Sequence, residues 1–202
     1  MALTIEEAFL PATLTAAPMS DEEFAQFCAD HPDYFIEMTA EGEIIVMPPN
    51  YSLTGVRNQK ITFQLEAWAV KDGRGIITEA SAGFVLPNGA RRSPDAAWIA
   101  KTQLRDLDKR SLEKTFWHFC PDFVIERRSH FDRLPVLRSK MQEWMANGSQ
   151  LGWLIDAERC AVEVYGPGRE PEIRVDVMSI AGEGPIEGFV LELGPVWDPL
   201  GS

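Results

Sequence analysis

The amino-acid sequence predicts an α/β fold: a mixed β-sheet flanked by helices, with an extra helix and hairpin before it and extra strands after it. Three patterns predict it. Residues 76–78, 84–86, 95–99, 123–125, 151–155 and 162–165 are short, largely apolar runs of strand length. Between them, Ile61, Leu65 and Trp68, and later Leu137, Met141 and Trp144, recur at helical intervals. The run 151–155 follows its helix directly, so a right-handed crossover can lay it beside 123–125.

Taken in order, Ser20 and Glu23 have capping-box spacing, and Phe24, Phe27 and Cys28 then repeat with a helical period. Tyr34, Ile36 and Met38 alternate, Glu41-Gly42 can turn, and Ile44 and Val46 continue. This predicts a hairpin closed by Pro48-Pro49. A helix spans 54–70, and Asp72-Gly73 with Gly75 ends it. Strands at 76–78 and 84–86 follow, then the turn Pro87-Asn88-Gly89 and a strand at 95–99. The charged stretch 101–114 predicts an exposed helix. The apolar run 123–125, after Pro121, predicts a buried strand. Leu137, Met141 and Trp144 or Met145 mark a helix with Asp132 as its cap and Gly148 at its end. A short polar loop separates strands 151–155 and 162–165, and 172–177 and 189–193 are extra strands. No repeat or linker interrupts the chain. One domain over 1–202 is expected, with 1–19 as an N-terminal arm.

Composition narrows the function. No segment approaches the roughly 18 uninterrupted apolar residues of a membrane helix. The start, MALTIEEAFL, is acidic where an export signal is basic, so none is expected. Cys28, Cys120 and Cys160 are far apart and form no C-x-x-C pair, which suits buried thiols in a reducing cytoplasm. His31, His118 and His130 are scattered, so any metal would be held by carboxylates. The net charge of −12 argues against a nucleic-acid partner. Twelve of the nineteen Lys and Arg residues nevertheless lie between Arg91 and Lys140, where a local basic surface is possible.

Asp95 opens a strand after Pro94, and Glu126 ends the strand at 123–125. If the strands pair, two carboxylates meet at one sheet edge, an arrangement that is costly unless a cation joins them. Hard oxygen ligands suit Mg²⁺ or Mn²⁺, which would activate a water and neutralise a scissile phosphate. Spacing alone equally allows a helix-capping or solvent-facing pair. Strand alternation sets Arg128 on the face of Glu126, within reach of a metal-bound phosphate, while Lys140 on the next helix is a second cation. Only the lysine could give up a proton and act as a base.

The order of these residues resembles a known family. The blocks are Gly83-Phe84-x-Leu86-Pro87-Asn88-Gly89, Arg92-Ser93-Pro94-Asp95-Ala96-x-Trp98-Ile99, Cys120-Pro121-Asp122-Phe123-Val124-Ile125-Glu126, Lys140-Met141-Gln142-Glu143 and Gly152-Trp153-Leu154-Ile155-Asp156. With Val162-Glu163-Val164-Tyr165 and Gly188-Phe189-Val190-Leu191, they resemble the Uma-two family of restriction-endonuclease-like proteins from about Glu23 to Trp197. The resemblance implies the PD-(D/E)XK nuclease fold, with Asp95 and Glu126 as metal ligands and the Arg127 carbonyl completing the set. It implies that Lys140 replaces the strand lysine, whose place Arg128 takes, and that it orients the attacking water or stabilises the pentavalent phosphorus. Glu79 is a further acid that could hold a second metal, and Asp122 could serve the site; a loop carboxylate and a turn residue explain them as well. Arg57, Asn58 and Lys60 could touch phosphate or be plain solvated residues. The partners implied are nucleic acid, DNA first, and a second copy of the chain in a homodimer. The alternative is a nuclease-fold protein that binds or regulates with little or no catalysis.

Overall fold

The structure is a computed structural model that describes residues 10–15 and 19–201. The acidic start read above for an export signal falls almost wholly outside the described residues. Strand β1 (Ala12–Thr15) is followed by helix α1 (Asp21–Asp30), and the hairpin β2 (Phe35–Met38) and β3 (Glu43–Met47). Helix α2 (Ser52–Asp72) leads into β4 (Gly75–Glu79), β5 (Phe84–Val85), β6 (Arg91–Arg92) and β7 (Ala96–Ala100). Then come α3 (Lys109–Lys114), β8 (Phe123–Arg127), α4 (Leu134–Ala146), β9 (Leu151–Asp156) and β10 (Ala161–Tyr165). Strands β11 (Glu172–Val175), β12 (Ser179–Ala181) and β13 (Val190–Glu192) and the short helix α5 (Gly194–Trp197) close the chain.

The predicted mixed sheet is present, in the order β11-β10-β9-β8-β7-β4. β8 and β9 run parallel, with Phe123 beside Leu151 and Arg127 beside Ile155, because α4 carries the chain back over the sheet between them. β7 lies antiparallel on the other side of β8, pairing Ala96 with Ile125 and Trp98 with Phe123. A second sheet, β1-β3-β2-β6-β5, holds the N-terminal hairpin against the segment that precedes β7. Residues 12–15, expected in a free arm, instead pair along β3 from Ala12–Val46 to Thr15–Glu43.

Local signals act as read. Ser20 and Glu23 form both halves of the capping box. Gly73 ends α2 in the left-handed conformation, φ 74°, which only glycine adopts without a Cβ penalty. Two expectations change. The stretch 101–114 is helical only over Lys109–Lys114, with Asp108 accepting a hydrogen bond from the Ser111 N–H; the residues before it form turns. Helix α4 has no side-chain cap: Asp132 accepts from the Ser129 N–H instead, closing a turn before the helix.

Alternation along the strands decides which helix each residue meets. On one face Phe123, Ile125, Trp153 and Ile155 pack under α2 and the C-terminal elements, where Trp153 stacks on Phe189 with ring centroids 5.9 Å apart. On the other, Val124, Leu154 and Ala97 meet Leu137, Met141 and Trp144 of α4. Gly152 lets α4 come close: a Cβ there would stand 2.5 Å from the Met141 terminal methyl. Glu126 shares the face of Val124 and so looks toward α4. Arg127 takes the opposite face, toward the start of α2.

Candidate active site

β7 and β8 end together, and one further step of their ladder sets Asp95 across from Glu126. Both carboxylates line a cavity of about 720 Å³ between the two sheets, together with Glu37, Arg92, Lys140 and Glu143. Asp95 is held by its neighbours on both oxygens: Oδ2 accepts from the Arg127 backbone N–H at 2.7 Å, and Oδ1 from Asn58 Nδ2 at 2.9 Å. Asn58 in turn accepts from Arg127 Nε at 2.5 Å. Glu126 is only 4% exposed; its Oε1 accepts from the Trp144 indole N–H at 2.8 Å and lies 2.9 Å from Lys140 Nζ.

Lys140 sits at the centre of the cluster. It reaches Glu126 from α4, one turn before Trp144, and donates to Glu37 Oε1 at 2.7 Å and to the Ser93 carbonyl at 3.1 Å. Glu37 also accepts from Arg92 Nη1 at 3.1 Å and from the Ser93 N–H at 2.9 Å, and Arg92 Nε donates to Glu143 at 2.6 Å. A buried ionic network thus joins β2, β6 and α4 around the amine.

Burial pushes the Glu126 carboxyl up to about 8: desolvation leads, and the negative Asp95 and Glu37 add to it against the opposing charge of Lys140. Asp95 is raised as well, by burial foremost, though Arg127, Lys140 and Asn58 hold it back. Burial opposes the charge on Lys140 too, yet Glu126 and Glu37 together outweigh it and move its pKa above the ordinary lysine value. The amine therefore stays protonated. This corrects the reading of Lys140 as a base; its contribution is a fixed positive charge and a hydrogen-bond donor.

The other candidates separate from this cluster. Arg128 does not face the cavity. β8 ends at Arg127, and Arg128 pairs with Asp156 at 3.0 Å and Glu158 at 3.4 Å, both beyond or at the end of the neighbouring β9. Asp122 is at the opposite end of β8, where it accepts from the Ala100 N–H, Gln103 and Gln150, and so ties strands and loops together. Glu79 pairs with Ala96 in the β4–β7 ladder, but its carboxylate is exposed and takes the Ser81 hydroxyl; Ser81 lines the cavity and Glu79 does not. Part of the cation cluster between Arg91 and Lys140 is tied up in ion pairs, while Lys101, Arg105, Lys109, Arg110, Lys114 and Arg133 stay exposed. Arg91 pairs with Asp21, Arg92 with Glu37 and Glu143, Arg128 with Asp156, Arg138 with Glu163, and Lys140 with two glutamates.

Sequence reasoning did not single out Glu37, Arg92, Glu143 or Trp144 for the site, and Asn58, read there as a phosphate contact or a plain solvated residue, instead holds the Asp95 carboxylate. For Glu37 a signal existed: a charge between Ile36 and Met38 in a strand of a predicted hairpin must either face water or find a buried cation.

The three thiols are free; Cys120 is buried as read, whereas Cys28 and Cys160 are only partly buried, and burial pushes Cys28 and Cys120 up to about 11. Among the described residues, no helix is long and apolar enough to cross a membrane.

A family model described as "Putative restriction endonuclease", the Uma2 family, matches residues 21–194. Among solved structures, the chain is similar to one described as "a putative nuclease belonging to DUF820 from Anabaena variabilis ATCC 29413". The two superpose with a TM-score of 0.72 at 18% identity, over 90% of this chain and 98% of that one, which is a likeness of fold. No curated protein matches the chain.

Proposed function

The chain belongs to the Uma2 family of restriction-endonuclease-like proteins, and from that premise we propose that it is a metal-dependent endonuclease hydrolysing phosphodiester bonds of nucleic acid, most naturally DNA. The observation that carries this reading is the convergence of Asp95, Glu126 and Lys140 on one open cavity from two strands and a helix. The donor set fits Mg²⁺ or Mn²⁺. Two desolvated carboxylates stand side by side, and a dication would offset the burial that raises both and the Asp95 charge that adds to it at Glu126. Among the described residues, no three His, Cys, Asp or Glu side chains converge on a metal position. The protein would thus supply two carboxylates and the Arg127 carbonyl, which suits an ion that keeps several waters.

Bound there, such a cation lowers the pKa of a water and neutralises charge on the scissile phosphate. The chain's own groups do the placing. Asn58 and the Arg127 N–H fix the Asp95 carboxylate, and the Trp144 indole fixes Glu126. Lys140, held charged by Glu37 and by the Ser93 carbonyl, would turn the N–H that now meets Glu126 toward the attacking water or the phosphate oxygens once a cation takes that carboxylate. A homodimer, working in the cytoplasm, would bring two such sites to the two strands of a duplex. Its interface would not use Trp197, which is partly buried and donates to the Val177 carbonyl; the exposed Ile173, Val175 and Met178 offer more apolar surface.

A second reading, binding with little or no turnover, draws on the net charge of −12 and on the use of Arg92, Arg128 and Arg138 in ion pairs within the fold. One assay separates the two. Plasmid and single-stranded DNA are incubated with the protein and Mg²⁺ or Mn²⁺, beside Asp95→Ala and Glu126→Ala. Cleavage by the wild type with a loss of at least about a hundredfold in both variants is expected; cleavage indifferent to both substitutions would rule the nuclease out.

A further inference from the structure

A second cavity, of about 310 Å³, opens between the start of α2 and the end of β8. Tyr51, Thr54, Arg57, Arg127, Arg128, His130 and the carboxylate of Glu158, which pairs with Arg128, form its polar lining. Three guanidinium groups therefore share one small space, and two of them lack a matching anion. Among the described residues, neither Arg57 nor Arg127 has a carboxylate within ion-pair distance, while Arg128 takes Asp156 and Glu158. Arg57 spends Nε on the Val196 carbonyl at 3.0 Å, leaving its terminal nitrogens without a hydrogen bond among those residues. Arg127, only 4% exposed, spends Nε on Asn58 and Nη1 on the Arg128 carbonyl, and its Nη2 is left in the same position. The Nε of Arg128 is buried without a partner.

The helix adds to this. Tyr51, the N-cap of the 21-residue α2, makes no side-chain cap hydrogen bond, and no acidic residue stands in the first turn. The first N–H groups and the positive end of the helix dipole thus border the same space. Asp95 and Asp132 act on Arg127 only from beyond ion-pair distance, so cations gathered here at low exposure still gain from an anion that completes them, and paired guanidinium groups match phosphate oxygens in geometry. The cavity also adjoins the acid pair: Arg127 lines both cavities, and through Asn58 its guanidinium is two hydrogen bonds from Asp95.

We infer that this second cavity is a phosphate subsite, which takes a backbone phosphodiester of the nucleic-acid strand next to the one positioned at Asp95 and Glu126. The inference rests on the nuclease reading for its ligand and goes beyond it by assigning Arg57, Arg127 and His130 to strand binding. It also gives an acidic protein a local means to hold a polyanion. Arg57 is a binding residue here, with no part in the reaction at the acid pair.

The test measures binding without cleavage. A fluorescent 20-nucleotide DNA, single-stranded and as a duplex, is titrated with the full chain in EDTA at several salt concentrations. Arg57→Ala and, independently, His130→Ala are compared with the wild type, with Arg57→Lys as the charge-preserving control and thermal melting as the check on folding. The expected result for Arg57→Ala is about tenfold weaker binding, with the slope of log affinity against log salt reduced by about one. His130→Ala weakens binding less, and Arg57→Lys restores most of the loss. Unchanged affinity and slope in folded Arg57→Ala and His130→Ala would overturn the inference, as would a wild type that binds neither DNA. Inorganic phosphate, and DNA with a 5′-terminal phosphate, serve as competitors. If inorganic phosphate displaces the probe as well as an unphosphorylated strand does, or if the 5′-phosphate makes a strand of equal length a markedly better competitor, the site takes free or terminal phosphate and the strand assignment falls. The two readings fail separately. Cleavage that depends on Asp95 but ignores Arg57 in KM and binding sinks only the subsite, whereas Arg57-dependent binding without Asp95-dependent cleavage sinks only the nuclease.

Discussion

At the residue scale, the arrangement turns on how a buried lysine is kept charged. Lys140 is surrounded by Glu37, Glu126 and the Ser93 carbonyl, and Glu37 is itself steadied by Arg92. Replacing Glu37 by Gln keeps the shape and removes one of the two charges that hold the amine. The expected outcome is a 10- to 100-fold fall in cleavage rate, as for other groups that support a metal site from behind. KM should change little, and steady-state kinetics with circular dichroism check both rate and fold. Glu126 makes a pH prediction. Its folded pKa, about 8, lies above the ordinary carboxylate value of 4.5, so the folded chain holds a proton there that the unfolded chain has released. Without a cation, this group's contribution to stability is therefore lost as pH rises from about 4.5 to about 8. A divalent cation needs the ionised form, so the rise in melting temperature on adding Mg²⁺ should be larger at pH 8.5 than at pH 6.5. An equal rise at both would mean that Glu126 does not bind the ion. The residues at this scale were half legible. Asp95 and Glu126 could be paired because each ends a predicted strand, and Lys140 could be chosen because it lies on the helix that follows. Glu37 and Asn58 come from elements 58 and 37 positions upstream of Asp95; each could be marked as polar in an element that packs, but nothing local names the partner it reaches.

At the element scale, α4 is the moving part of the argument. It carries Lys140 and Trp144 on the side that packs against β8 and β9, and Gly152 sets how near it comes. Gly152→Val would put branched carbon against Met141 and Met145, where a single Cβ already stands 2.5 and 3.0 Å from their methyls. We expect a cost of about 1–3 kcal/mol in urea unfolding and a larger proportional loss of cleavage, because Lys140 moves with its helix. The helix itself and its parallel crossover were readable from period and chain order, since both depend on neighbours within a few residues. Its N-terminus was not: Asp132 has the right residue type for a cap but closes the turn one step earlier. Arg128 fails for a related reason. Alternation holds only while the strand lasts, and β8 stops at Arg127, so the next side chain swings to Asp156 on the adjoining strand.

At the scale of the whole molecule, charge is spent inward. Part of the basic stretch that looked like a nucleic-acid surface supplies internal ion pairs, among them Arg91–Asp21 and Arg138–Glu163, while Lys101 to Lys114 and Arg133 keep exposed cations. A count of cations along a sequence cannot distinguish these uses, because the carboxylates that neutralise the inner ones come from distant segments. The mixed sheet and its helices were legible because each strand is apolar over its own length; the second sheet was not, because β1, β5 and β6 are two to four residues long and exist through their pairing.

The hairpin β2–β3 has a consequence for how the chain becomes competent. The acid pair and Lys140 lie within 46 positions of one another, a shorter span than the one back to Glu37, so β7, β8 and α4 can assemble them early. Glu37 must then arrive across 103 positions of chain to reach Lys140. Until that docking is complete, Lys140 and Glu126 face each other alone, without the second carboxylate that keeps the amine in place. Competence would thus switch on with the closing of the N-terminal sheet, and a half-folded chain near nucleic acid would carry the acids without the poised cation that makes them dangerous.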